Sequence, residues 1–231
     1  MKNKQIKVIA FDADDTLWVN ETYFREAERK FATLLSNYET PNKIEQELFQ
    51  LEMKNLPYYG YGIKGFVLSM IETALEISNH TLPQSTIGDL LKIGKEMLDK
   101  PIELLAGVEE VLHSLHGRYK LIVATKGDLL DQERKLEKSG LINYFHHVEV
   151  MSEKKIPDYQ KLTKHLDIAP QELLMIGNSL KSDILPLIAI GASAIHVPFY
   201  TTWTHEQVSE QDLLNSDYTT VSSIRDILEL L

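Results

Sequence analysis

Three carboxylates crowd into four positions at Asp12-Ala13-Asp14-Asp15, with Thr16 immediately behind them. Side chains this close repel one another, which costs stability unless a cation is bound. Their hard oxygen atoms suit magnesium or a similar divalent ion. The plainer alternative is an acidic turn that opens a helix, with Asp15 or Thr16 as the cap. What stands around the cluster decides between the two.

Val8-Ile9-Ala10-Phe11 leads directly into the acidic run. It is apolar without alternation, the pattern of a strand in a parallel sheet covered on both faces. Similar runs recur at 121–124, 148–150, 173–176 and 194–197. Helical patterns lie between them at 108–115, 129–139, 159–166 and 183–190, the second and fourth closed by Gly140 and Gly191. Strands alternating with helices predict an α/β fold, a doubly wound, Rossmann-like parallel sheet. In such sheets ligands bind beyond the carboxyl ends of the strands, which is where the acidic cluster falls.

Residues 21–100 break this rhythm. They are charged and helical in pattern, with Phe24, Ala27, Phe31, Leu34 and Leu35 at three- and four-residue steps. The one interruption, Leu56-Pro57-Tyr58-Tyr59-Gly60-Tyr61-Gly62-Ile63, is rich in turn-formers and aromatic rings. We therefore expect a core of residues 1–16 and 106–231, and an inserted helical domain of 17–105. A final helix over 222–231 is expected to pack on the core or against a partner chain.

Asp12-Ala13-Asp14-Asp15-Thr16-Leu17 resembles the first motif of the haloacid dehalogenase superfamily, Asp-x-Asp-x-Thr after the first strand. Three further segments resemble that family's other motifs in the right order, so the resemblance covers essentially the whole chain. It implies that Asp12 attacks phosphorus and that Asp14 protonates the leaving oxygen and then activates water. It implies that Thr125, with the backbone N–H groups of Lys126 and Gly127, holds a phosphoryl oxygen. A lysine after the third strand is expected to neutralise the transferring group. Lys154 and Lys155 compete for that place, and Tyr159 standing five residues after Lys154 favours Lys154. Gly177-Asn178-Ser179-Leu180-Lys181-Ser182-Asp183 resembles the fourth motif, Gly-Asp-x-x-x-x-Asp. Asp12, Asp14, Asp183 and Asn178 are then the expected holders of a magnesium ion. Asn178 departs from the usual acid and removes one negative charge. The same segment also reads as an ordinary helix start with a serine cap.

A helical insertion after the first motif resembles the first-type cap of this superfamily, whose closure excludes water. The loop 58–66 is the candidate for reaching substrate, against the alternative that its rings pack the insertion's own core. The expected activity is a magnesium-dependent phosphohydrolase acting on a small phosphorylated metabolite. Phosphomutase, dehalogenase and phosphonate hydrolase chemistry are the alternatives within the superfamily. Asp14 speaks against a dehalogenase, which typically lacks it. A phosphoacceptor signalling module would carry its acceptor after the third strand, where Val150-Met151-Ser152 has no Asp. A homologue that only binds phosphate is the remaining non-catalytic reading.

The chain has 231 residues, no cysteine and a formal net charge of −10. No disulfide or thiolate metal site can form, which fits a reducing cytoplasm. The acidic balance argues against a general nucleic-acid partner. No signal peptide and no membrane span are expected from the apolar runs, and composition leaves the oligomeric state open.

Overall fold

The computed structural model describes residues 6–209 and 218–231. The N-terminal Met-Lys-Asn-Lys-Gln, part of the reading against a signal peptide, lies outside them. In chain order, β1 (Val8–Phe11) is followed by α1 (Glu21–Leu34), α2 (Pro41–Tyr59), α3 (Ile63–Ile77) and α4 (Gln84–Asp99). Next come α5 (Val108–Leu115), β2 (Lys120–Lys126), α6 (Leu129–Ser139), β3 (His147–Met151) and α7 (Ile156–His165). The chain continues through β4 (Leu173–Gly177), α8 (Leu185–Ala189), β5 (Ser193–His196) and β6 (Thr219–Thr220). Contacts divide it into two compact units: Met1–Glu21, Ile102–Lys126 and Gln132–Leu231, and Thr22–Pro101 with Gly127–Asp131.

The first unit is built on one sheet in the order β3-β2-β1-β4-β5-β6. Every paired neighbour is parallel. The fold is thus the doubly wound α/β sheet that the strand and helix alternation predicts. Side chains alternate across each strand. Ile9, Phe11, Leu121, Val123, Leu174 and Ile176 pack on one face with Val111 and Leu115 of α5. Val8, Ala10, Ile122, Ala124 and Met175 pack on the other with Tyr159 and Leu162 of α7. Burial on both faces explains why the strand runs carry no polar alternation. The order reverses at β1, so the chain ends of β1, β2 and β4 meet where such a sheet receives its ligands.

The 17–105 boundaries and the observed ones differ at both crossings. Val19 N–H bonds the Glu103 carbonyl at 3.0 Å and Leu105 N–H bonds the Leu17 carbonyl at 2.9 Å. Those ties keep 17–21 and 102–105 with the sheet.

The second unit has its own apolar core, in which Phe31, Leu35, Ile44, Leu48, Phe66 and Met70 are buried. The expected aromatic loop is far shorter than the sequence suggests. Helix α2 runs through Pro57 to Tyr59 and α3 begins at Ile63, so only 60–62 are non-helical. Gly60 and Gly62 take φ of 69° and 105°, which lets so short a segment make the turn.

Two further elements differ from expectation. The segment 183–190 opens as a π-helical turn, Leu180–Ile184, before α8. The C-terminal helix is the shorter 3₁₀ segment Ile224–Glu229, whose Ile224 and Ile227 are buried on the sheet.

Candidate active site

The acidic run leaves β1 at Asp12 and turns sharply, with Asp15 at φ 61°. Asp15 is buried and accepts the Asn20 N–H at 2.8 Å and the Glu21 N–H at 3.0 Å, so it caps α1. The capping alternative thus holds for Asp15, while its two acidic neighbours are otherwise engaged. Burial pushes the Asp15 carboxyl up to about 8 against the pull of those N–H bonds.

Asp12 is 7% exposed and faces Lys154, which is 3% exposed. Lys154 Nζ donates to Asp12 Oδ1 at 2.5 Å and to Asp183 Oδ1 at 2.7 Å. Burial opposes a charge on Lys154, but Asp12 and Asp183 outweigh it and hold the ammonium well above its ordinary pKa. Burial also pushes Asp12 up to about 7; Lys154 pulls it back and Asp183 pushes it further. Lys155, the competing lysine, is exposed at the start of α7, its Nζ 3.7 Å from Glu153. Tyr159 is buried and its hydroxyl donates to the Ser182 carbonyl at 2.9 Å.

Asp183 arrives from the turn after β4. Its Oδ2 accepts the Ser179 N–H at 3.0 Å, and the Ser179 hydroxyl accepts the Ser182 N–H at 3.0 Å. The serine cap and the acidic position of the motif coexist. Asn178 meets Asp12 through Thr16. Its N–H donates to Thr16 Oγ1 at 3.1 Å, and that hydroxyl lies 3.1 Å from Asp12 Oδ2 and 3.3 Å from Asn178 Oδ1. One hydroxyl proton cannot serve both oxygens, and Asp12 Oδ2 is the nearer of the two. The Asn178 carbonyl takes a hydrogen bond from His196 Nε2 at 3.0 Å, which places the ring proton on Nε2.

The segments that follow β1, β3 and β4 therefore bring Asp12, Lys154, Asp183 and Asn178 together. Asp14 has other partners: its Oδ1 accepts from Trp18 Nε1 at 2.8 Å and Lys135 Nζ at 2.9 Å, and its Oδ2 from Gln132 Nε2 at 2.8 Å. Thr125 is buried at the end of β2, with its hydroxyl on the Lys126 carbonyl at 3.2 Å. Lys126 Nζ turns to Glu206 at 2.5 Å and Ser182 at 2.9 Å. Gly127 follows at φ 135° and falls in the second unit.

Four of these side chains carry no sequence signal for their roles. Trp18 reads only as a packing residue, and Gln132 and Lys135 look like ordinary polar positions on an amphipathic helix. Glu206 lies in the short turn Thr204–Glu206, which carries no motif. It bonds the Ser179 hydroxyl, and the Ser182 hydroxyl at 2.6 Å. Burial alone would raise it, yet Lys126 and the two serines bring it down to about 2.

Among the described residues no group of three or more His, Cys, Asp or Glu has the spacing to hold a metal ion. What converges instead is two buried carboxylates and one amide oxygen, with one lysine between the carboxylates. The donors are all hard oxygen. Asp12 and Asp183 face a single ammonium, so when both are ionised the cluster holds more negative charge than Lys154 balances. In donor type and charge the residues fit a small divalent cation.

Residues 6–191 match the haloacid dehalogenase-like hydrolase family, and the chain belongs to it. A haloacid dehalogenase-like family hydrolase from Xanthomonas campestris is 39% identical with a TM-score of 0.81, over 88% of this chain and 86% of that one. Pyrimidine 5′-nucleotidase YjjG of Escherichia coli is 30% identical over 55% of this chain and 56% of its own length, so the match spans about half of each protein. Glyceraldehyde 3-phosphate phosphatase of Pyrococcus furiosus is 24% identical over 99% of this chain and 94% of its own.

Proposed function

We propose that this protein is a magnesium-dependent phosphohydrolase that cleaves a small phosphate monoester through an aspartyl-phosphate on Asp12. The observation that carries the reading is the pairing of buried Asp12 and Asp183 across Lys154 at the strand ends of a doubly wound sheet. In the first step an Asp12 carboxylate oxygen forms a bond to phosphorus as the bond to the ester oxygen breaks. Asp14 gives its proton to that departing oxygen. In the second step Asp14 takes a proton from water, the water oxygen attacks phosphorus, and the bond to Asp12 breaks to release inorganic phosphate.

Lys154 favours the ionised form of Asp12 against its burial and, with the Thr125 hydroxyl and the N–H groups of Lys126 and Gly127, faces the phosphoryl oxygens. Asp12, Asp183 and Asn178 would hold the magnesium ion, which supplies further neutralisation of phosphoryl charge when bound. The second unit serves as the cap that selects substrate and excludes water. The names of the relatives put nucleoside monophosphates and triose phosphates first among substrates to try. A cytoplasmic setting belongs to this reading, supported by the cysteine-free sequence; no described helix is long and apolar enough to cross a membrane.

The test is turnover of p-nitrophenyl phosphate with magnesium and with chelator, followed by a panel of phosphorylated metabolites. Magnesium-dependent release of phosphate supports the reading. Equal rates in chelator, or no release from any phosphate ester, would overturn it.

A further inference from the structure

We infer that Lys135, together with Gln132, is a positioning residue that sets the Asp14 carboxyl for proton transfer. This rests on the reading of Asp14 as the acid and base of the reaction.

Gln132 and Lys135 stand three positions apart on α6 and so share one face of it. Both reach back across the sequence to the same carboxylate, one to each oxygen. Trp18 Nε1 adds a third donor, on the same oxygen as Lys135. Donors on both oxygens fix the two torsions of the side chain, so the proton that Asp14 presents to an ester oxygen has one direction. Misplacement of a reacting group by about 1 Å can cost on the order of 100-fold in rate. Lys135 Nζ also holds Asn20 Oδ1 at 2.8 Å, which ties the clamp to the segment leaving the acidic turn.

A purely structural staple does not explain the arrangement of Gln132. Its Nε2 serves two acceptors, Asp14 Oδ2 and the Lys126 carbonyl at 2.9 Å, which settles the orientation of the amide. Its Oε1 is then buried with no hydrogen-bond partner among the described residues. Burying an acceptor without a partner is destabilising. Stability alone would favour an apolar side chain there; a group that must keep a donor on Asp14 accounts for the cost.

The test compares kcat/KM on phenyl phosphate and p-nitrophenyl phosphate, esters of nearly the same shape. The phenolate leaving group needs a proton much more than the nitrophenolate does, and kcat/KM reports only steps up to its departure. Lys135→Met is expected to lose about tenfold or more on phenyl phosphate and less than about threefold on p-nitrophenyl phosphate. Lys135→Arg should recover most of the loss. Gln132→Met, measured in parallel, should show the same selectivity, so the outcome does not depend on one variant folding. Equal losses on both esters in the two Met variants would mean a structural role only and overturn the inference. Asp14→Asn separates this from the underlying reading. If Asp14→Asn is selective and the Met variants are not, only the positioning role fails. If Asp14→Asn shows no selectivity, the acid role of Asp14 fails and the inference falls with it.

Discussion

Replacing Glu206 by Gln leaves the shape of the side chain and removes its charge. Three groups are affected at once: Lys126 Nζ loses its carboxylate, and the Ser179 and Ser182 hydroxyls lose an ionised acceptor. In the folded protein Glu206 sits at about 2 against an ordinary value of 4.5. At about 1.4 kcal/mol per tenfold, that difference corresponds to roughly 3 kcal/mol of stability. The side chain is only 12% exposed, so solvent screening takes little from the figure. A depressed carboxyl contributes its full stability above the unfolded value and loses it as pH falls toward the folded one. Urea unfolding of the wild type and Glu206→Gln should therefore differ by about 3 kcal/mol at about pH 7, with unchanged m-values. The gap should begin to close below about pH 4.5 and be small near pH 2. A difference under about 0.5 kcal/mol at neutral pH would show that the pair adds no more than a surface ion pair. A gap unchanged down to about pH 3 would show that the charge of Glu206 is not its source.

Three other outcomes are expected. Asn178→Asp restores a carboxylate beside Asp12 and Thr16, and should lower the magnesium concentration for half-maximal activity by about tenfold, read from a metal titration. Protons compete with the metal for Asp12, which sits at about 7. Apparent magnesium affinity by calorimetry should be level above about pH 7 and fall toward tenfold per pH unit below it. Gly177→Ala would press a Cβ against the Cβ, Cγ and Oδ2 atoms of Asp183. It should cut activity by at least about tenfold while circular dichroism keeps the folded spectrum, because the clash falls on a side chain paired with Lys154.

The residues at the strand ends are readable because each follows directly on an apolar run. Asp12 after β1, Thr125 in β2 and Asn178 after β4 are placed by the sheet itself, whose two-sided burial leaves a plain signal. The preference for Lys154 over Lys155 rests in the sequence on the position of Tyr159; in the fold Lys154 is buried and Lys155 exposed. The clamp on Asp14 is not readable. Lys135 and Asp14 are 121 residues apart, and nothing local distinguishes Lys135 from the other charges on α6. Glu206 reaches Lys126 across 80 residues from a loop with no periodic pattern. The turn at 60–62 is shorter than its composition suggests because Pro57, which locally signals a helix end, is accommodated in the last turn of α2.

The covalent intermediate is the most direct test of the account. A quenched single turnover with radiolabelled phosphate ester, followed by peptide mapping, should place acid-stable, base-labile label on the peptide carrying Asp12, and Asp12→Asn should carry none. Turnover without any protein-bound label under rapid quench, or label that persists in Asp12→Asn, would contradict it.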